Sequence, residues 1–231
     1  MPHDLYIRLI YKYNALCSIA IDILLFDKHP SHNNNMKISF FTFILISTFS
    51  LSSSQSPVLD TNQMPLVTGI SYYIVPAVSG RGGGVKLSPT TLNQTCPLDV
   101  AQENNEGLNG LPLNFQLAIP NRGGVIRDTA DFNIRFTGAT TCGKPAVWRI
   151  EEVNGQRVVS SRGTLGNPGK ETLSNWFKFE KYDNDYKIVF CPGVCDICRP
   201  ACGTIGTTIA KNGRRSLLLS NDPLKVKFIK A

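Results

Sequence analysis

Over residues 55–231, apolar and polar positions alternate with a period of two in short runs, and helical spacing is rare. Tyr72-Tyr73-Ile74-Val75 stops at Pro76. Phe132-Asn133-Ile134-Arg135-Phe136 alternates and ends before Gly138. Val147 to Val153 carries Trp148 and Ile150 on one face, and the Asn154-Gly155 that follows is a good two-residue hairpin turn. Trp176-Phe177-Lys178-Phe179 leads through Asp183-Asn184-Asp185 to Tyr186-Lys187-Ile188-Val189-Phe190, a second hairpin. Leu224-Lys225-Val226-Lys227-Phe228 alternates again near the end. Many short strands between regular turns predict an all-β barrel or sandwich. A stretch of this length buries about 70% of its unfolded surface, enough to hold its own core. No linker divides it, so residues 55–231 are expected to form one domain.

The first 54 residues follow a different pattern. Met36-Lys37 is basic, Ile38 to Ile46 is largely apolar, and Ser47 to Ser56 is rich in small residues. That order is a secretory signal peptide over residues 36–54, with Ser52 and Ser54 suited to cleavage near Gln55. The product is therefore expected to be secreted, to the extracellular space (apoplast) or to a vacuole. Residues 1–35 interrupt their apolar stretch with Arg8, Lys12 and Asp22 and end in His32-Asn33-Asn34-Asn35. They are expected to be a gene-model extension or a disordered leader, with Met36 as the true start.

Composition narrows the chemistry. His3, His29 and His32 are the only histidines, so the part after the signal has none. A Ser-His-Asp or Cys-His nucleophile and a His-ligated metal are excluded there, and the domain is expected not to be an enzyme. The net charge of +7 comes from scattered residues, which points to a solvated surface and not to a nucleic-acid partner. No apolar run is long enough to span a membrane, so no membrane association is expected once the signal is removed. Gly80-Arg81-Gly82-Gly83-Gly84 fits no phosphate-loop motif and reads as a turn or bulge.

Removal of the signal also removes Cys17 and leaves Cys96, Cys142, Cys191, Cys195, Cys198 and Cys202. An even count after a secretory signal reads as a disulfide framework, with 15 possible pairings. A nested staple, Cys191 with Cys202 around Cys195 with Cys198, would explain the crowding of four, leaving Cys96 and Cys142 to close a long loop. The same four could hold zinc or an iron–sulfur cluster, but both need reduced thiols, and export argues against them. No cofactor is expected. Asn93-Gln94-Thr95 is a glycosylation sequon at Asn93.

An ordered set of motifs resembles the plant Kunitz (soybean trypsin inhibitor) family across nearly the whole exported chain. It comprises Val58-Leu59-Asp60, Gly69, Tyr72-Tyr73-Ile74, Cys96-Pro97-Leu98, Trp148, Trp176-Phe177, Tyr186 to Pro192, and Gly213-Arg214-Arg215 followed by Leu217-Leu218-Leu219. Six cysteines look more like the miraculin-like branch. The resemblance implies a disulfide-stapled β-trefoil of twelve short strands in three pseudo-repeats, paired Cys96–Cys142, Cys191–Cys202 and Cys195–Cys198. It implies a monomeric inhibitor whose single exposed loop enters a trypsin-like serine protease as a substrate would. The alternative it implies is a non-inhibitory trefoil for storage, defence, carbohydrate binding or taste modification. The matching loop lies between Gly110 and Phe136, with Pro120, Asn121, Arg122 and Gly123 as its reactive residues. Counting from Cys96 puts Pro120 where the basic residue belongs, with Arg122 two positions later. Thr68 stands where a bracing Asn is expected, and Gly123-Gly124 is expected to loosen the far side of the loop.

Overall fold

The computed structural model describes residues 55–89, 98–138 and 145–231. Among these residues there are twelve strands and two 3-10 turns, Arg122–Gly124 and Lys170–Asn175. The strands are β1 (Tyr72–Pro76), β2 (Val85–Pro89), β3 (Leu98–Gln102), β4 (Leu113–Leu117), β5 (Phe132–Phe136) and β6 (Arg149–Val153). They continue with β7 (Gln156–Ser160), β8 (Lys178–Tyr182), β9 (Asp185–Phe190), β10 (Gly203–Ile209), β11 (Arg215–Ser220) and β12 (Lys225–Lys230). The β6–β7 hairpin turns on Asn154 and Gly155, both at positive φ (51° and 74°), as the Asn-Gly pair predicts.

The pairings resolve into a ring and a triangle. β1 pairs β12 and β4, β4 pairs β5, β8 pairs β9, and β9 pairs β12. Phe132 and Phe177 exchange backbone hydrogen bonds of 3.0 and 2.9 Å, which joins β5 to the start of β8 and closes six strands into a barrel. The other six strands are the hairpins β2–β3, β6–β7 and β10–β11. They meet one another through β3–β7, β7–β11 and β3–β11. In chain order the strands form three units of four, each a barrel strand, a capping hairpin and a second barrel strand. This is a β-trefoil. Closure leaves the barrel without free edges.

Each barrel strand sends one aromatic ring into the centre: Tyr72, Phe115, Phe132, Phe179, Tyr186 and Phe228, all buried. Phe179 lies 4.4, 4.6 and 5.2 Å from Phe132, Phe228 and Phe115 between ring centroids. A second group joins Trp148 to Phe136 and Phe177, and Phe177 to Phe190. The fully buried Asn133 amide is satisfied at both ends. Asn133 donates from Nδ2 to the Asn175 carbonyl and accepts at Oδ1 from the Gly166 N–H. The run Gly80–Gly84 makes no phosphate cradle: Gly83 and Gly84 donate to the carbonyls of Glu103 and Leu108, so it is a turn packed on its neighbouring chain.

Candidate functional site

The connection between β4 and β5 is the loop singled out in the sequence. Its ends are fixed by Leu117 and Phe132, both buried, and the Ala118 N–H donates to the Asp131 carbonyl at 2.9 Å. Ile126 is fully buried and pins the descending limb. It donates to the Leu66 carbonyl and accepts from the Val58 N–H, while Thr68 N–H donates to the Gly124 carbonyl at 2.8 Å. Bridges Val67–Val125 and Pro57–Arg127 extend this ladder. The segment underneath is itself anchored to the barrel by two phenols. The Tyr72 hydroxyl accepts from Val67 N–H at 3.1 Å and the Tyr186 hydroxyl from Leu59 N–H at 2.9 Å. Burial raises the Tyr72 pKa above its ordinary value, keeping that hydroxyl neutral. Asp60 folds the intervening turn by accepting at Oδ1 from the N–H groups of Asn62 and Met64.

The apex, Ile119 to Gly123, is exposed. Asn121 is extended (φ −120°, ψ 166°), and Arg122–Gly124 then forms a 3-10 turn closed by Gly124 N–H donating to the Asn121 carbonyl. The Asn121 Nδ2 crosses the same turn to the Val125 carbonyl at 2.8 Å. Gly123 and Gly124 sit at φ 81° and 63°. A Cβ on Gly124 would lie 2.2 Å from the Thr68 Oγ1. The two glycines therefore do not loosen the loop as expected: they let it turn tightly against Thr68. Arg122 is exposed and has no ion-pair partner among the described residues.

Next to the loop stands the cysteine-rich turn between β9 and β10. Cys191 is bonded to Cys202 and Cys195 to Cys198, with Cα separations of 4.5 and 5.4 Å. These sulfurs are thereby committed to one another and not to a metal. Asp131, at the foot of the loop, accepts at Oδ2 from Gly193 N–H at 3.0 Å and faces Lys178 at 3.7 Å. Burial pushes its carboxyl above the usual carboxylate range, against the opposing pull of Lys178 and of that N–H.

The structure thus brings Pro120, Asn121, Arg122 and Gly123 together at one exposed apex. Cys96, Cys142 and Asn93 lie outside the described residues, as does the segment 36–54. One contributor, Asp131, and one role, the brace that Asn121 provides, escaped the sequence reading. Asn121 supplies from inside the loop the bracing amide that Thr68 does not, and Asp131 ties the loop to the disulfide turn. Asp131 has no local sequence signal, because its partner Gly193 is brought to it only by the fold, whereas Asn121 acts on Val125 four residues on, within its own turn.

The model of the legume Kunitz family, trypsin and protease inhibitor, matches residues 58–230, and the chain belongs to that family. It is 37% identical over 205 residues to Kunitz trypsin inhibitor 5 of Arabidopsis thaliana, covering 85% of this chain and 100% of that protein. It is 42% identical over 187 residues to miraculin of Synsepalum dulcificum, covering 77% and 84% respectively. Among solved structures it is similar to soybean trypsin inhibitor in its complex with porcine pancreatic trypsin. There the TM-score is 0.62 and the identity 32%, over 76% of this chain and 99% of that one.

Proposed function

We propose, with that membership as the premise, that this chain is an exported inhibitor of trypsin-like serine proteases and that Arg122 occupies the specificity pocket. One observation carries the reading: Arg122 is exposed, with no ion-pair partner among the described residues, at the apex of a loop hydrogen-bonded along its descending limb and closed at its base. It is also the only basic residue between Gly110 and Arg127. Its guanidinium is suited to the Asp at the base of a trypsin-like pocket. A loop held in place before binding loses little entropy on docking. The two disulfides and the signal pattern over residues 36–54 support export.

A second reading, a non-inhibitory trefoil like miraculin, is favoured by one specific feature. Gly123 at φ 81° bends the chain immediately after Arg122, where a protease cleft takes extended backbone. Docking has to open that turn, so inhibition of trypsin is expected to be weak, in roughly the micromolar range. Titration of trypsin with the purified protein and with Arg122→Ala decides between them. The variant is expected to lose all inhibition. Equal inhibition by both proteins would move the activity to another surface, and no inhibition by the wild type would favour the second reading.

A further inference from the structure

A groove of about 600 Å³ runs alongside the apex. Ile119 and Pro120 of the loop form one wall, Val194 and Asp196 of the disulfide turn form the other, and Asp131 lies between them. Ile119 and Ile197, which follows Asp196, are the two most exposed large apolar side chains among the described residues, at 82% and 84%. Both belong to the elements that bound this groove.

Exposed isoleucine on a flexible turn would be unremarked, but this turn is held at several points. Cys195–Cys198 closes it, and Cys198 N–H donates to the Cys195 carbonyl. Arg199 Nη1 donates to the carbonyls of Asp196 and Cys198 at 3.0 and 2.9 Å. Gly193 N–H is bonded to Asp131, whose own carbonyl receives the Ala118 N–H at the base of the loop. One residue therefore fixes the disulfide turn and the inhibitory loop relative to each other.

A stable protease–inhibitor interface takes about 800 Å² from each partner, some 20 to 30 residues. The five exposed residues of the apex supply only part of that, so the rest must come from surface continuous with them. We infer that the serine protease engaged by Arg122 also rests on the disulfide turn, with Ile197 and the groove wall as a second contact area. This rests on the inhibitor reading and adds to it a surface that no pairing of Arg122 with a pocket requires. The turn is suited to the task because its rigidity removes the ordering cost that a free loop of this length would carry on binding. An interfacial isoleucine covered by the protease acts mainly on the dissociation rate.

The test measures the inhibition constant and dissociation rate against trypsin for the wild type, Arg122→Ala, Ile197→Glu and Ile209→Glu. Ile209, 58% exposed at the end of β10, belongs to neither element that bounds the groove and serves as the control. Ile197→Glu is expected to weaken inhibition about tenfold through faster dissociation, with an unchanged melting temperature and no effect from Ile209→Glu. If Arg122→Ala abolishes inhibition while Ile197→Glu matches the wild type, the second contact is refuted and the inhibitor reading stands. Equal weakening by Ile209→Glu refutes it also. If Arg122→Ala leaves inhibition intact, or the wild type does not inhibit, the underlying reading fails and the second contact falls with it.

Discussion

At the scale of single residues, the loop is shaped by what its side chains lack as much as by what they carry. Gly124 has φ 63°, a region that costs a residue with a Cβ about 1 kcal/mol or more, and its missing Cβ makes room for the Thr68 hydroxyl. The close approach also lets the Gly124 carbonyl receive the Thr68 N–H. Gly124→Ala is therefore expected to lower stability by about 1–3 kcal/mol, by backbone strain and displacement of Thr68. Urea unfolding measures it, with Gly138→Ala as reference, since the φ of Gly138 lies outside the left-handed region and no described heavy atom lies within 4 Å of its Cβ position. Equal loss in both variants would show that the turn is not held as described. Asn121 works in the opposite sense, its amide reaching the Val125 carbonyl across the turn and stiffening Arg122 without touching it.

At the scale of elements, the junction at Asp131 decides how the β4–β5 loop and the disulfide turn are held. Its carboxyl is raised by burial, so the folded state binds a proton more readily there than the unfolded chain does. Ionised Asp131 is then a cost to the fold. Its contribution to stability is most favourable below the unfolded carboxyl value, about 3.9, and falls as pH rises through the folded value. Asp131→Asn keeps an oxygen for the Gly193 N–H and removes the titration. Urea midpoints from acid to neutral pH should fall less with rising pH in the variant than in the wild type, and parallel profiles would reject the assignment. The elements also differ in how far the sequence reveals them. Five of the six barrel strands, β1, β5, β8, β9 and β12, are visible as alternating or apolar runs because one face of each meets the common core. β4 alternates as well, with Leu113, Phe115 and Leu117 buried. The hairpin strands β2, β3, β10 and β11 give no clean period. In β2, β10 and β11 most positions are only partly buried, as in β11, where Leu217 is buried and Leu218 and Leu219 are not, while in β3 Asp99 to Gln102 are all buried, so none of them alternates. The resemblance points to the connection between β4 and β5, whose Asn121 brace and turn are closed within residues 121–125, whereas its ladder to residues 57–68 and its Asp131 anchor to Gly193 depend on distant chain that no local pattern encodes.

At the scale of the whole molecule, the three four-strand units share one interior. Tyr72 and Phe115 come from the first unit, Phe132 and Phe179 from the second, Tyr186 and Phe228 from the third. No unit closes a core alone, and Phe179 shows why: its ring touches Phe132 of its own unit, Phe115 of the first and Phe228 of the third. Truncation there removes contacts from all three at once. The loss is transfer free energy of the ring plus the cavity left behind, since β8 and its neighbours are tied by ladder hydrogen bonds and cannot fully collapse. Phe179→Ala is expected to destabilise by about 3–5 kcal/mol. Its unfolding should remain a single transition, with far-UV and near-UV circular dichroism changing together, because the units stand or fall on the same ring cluster. Two separated transitions in the variant would mean that a unit folds without the shared aromatic centre, and would contradict the closed six-strand barrel as the source of the molecule's cooperativity.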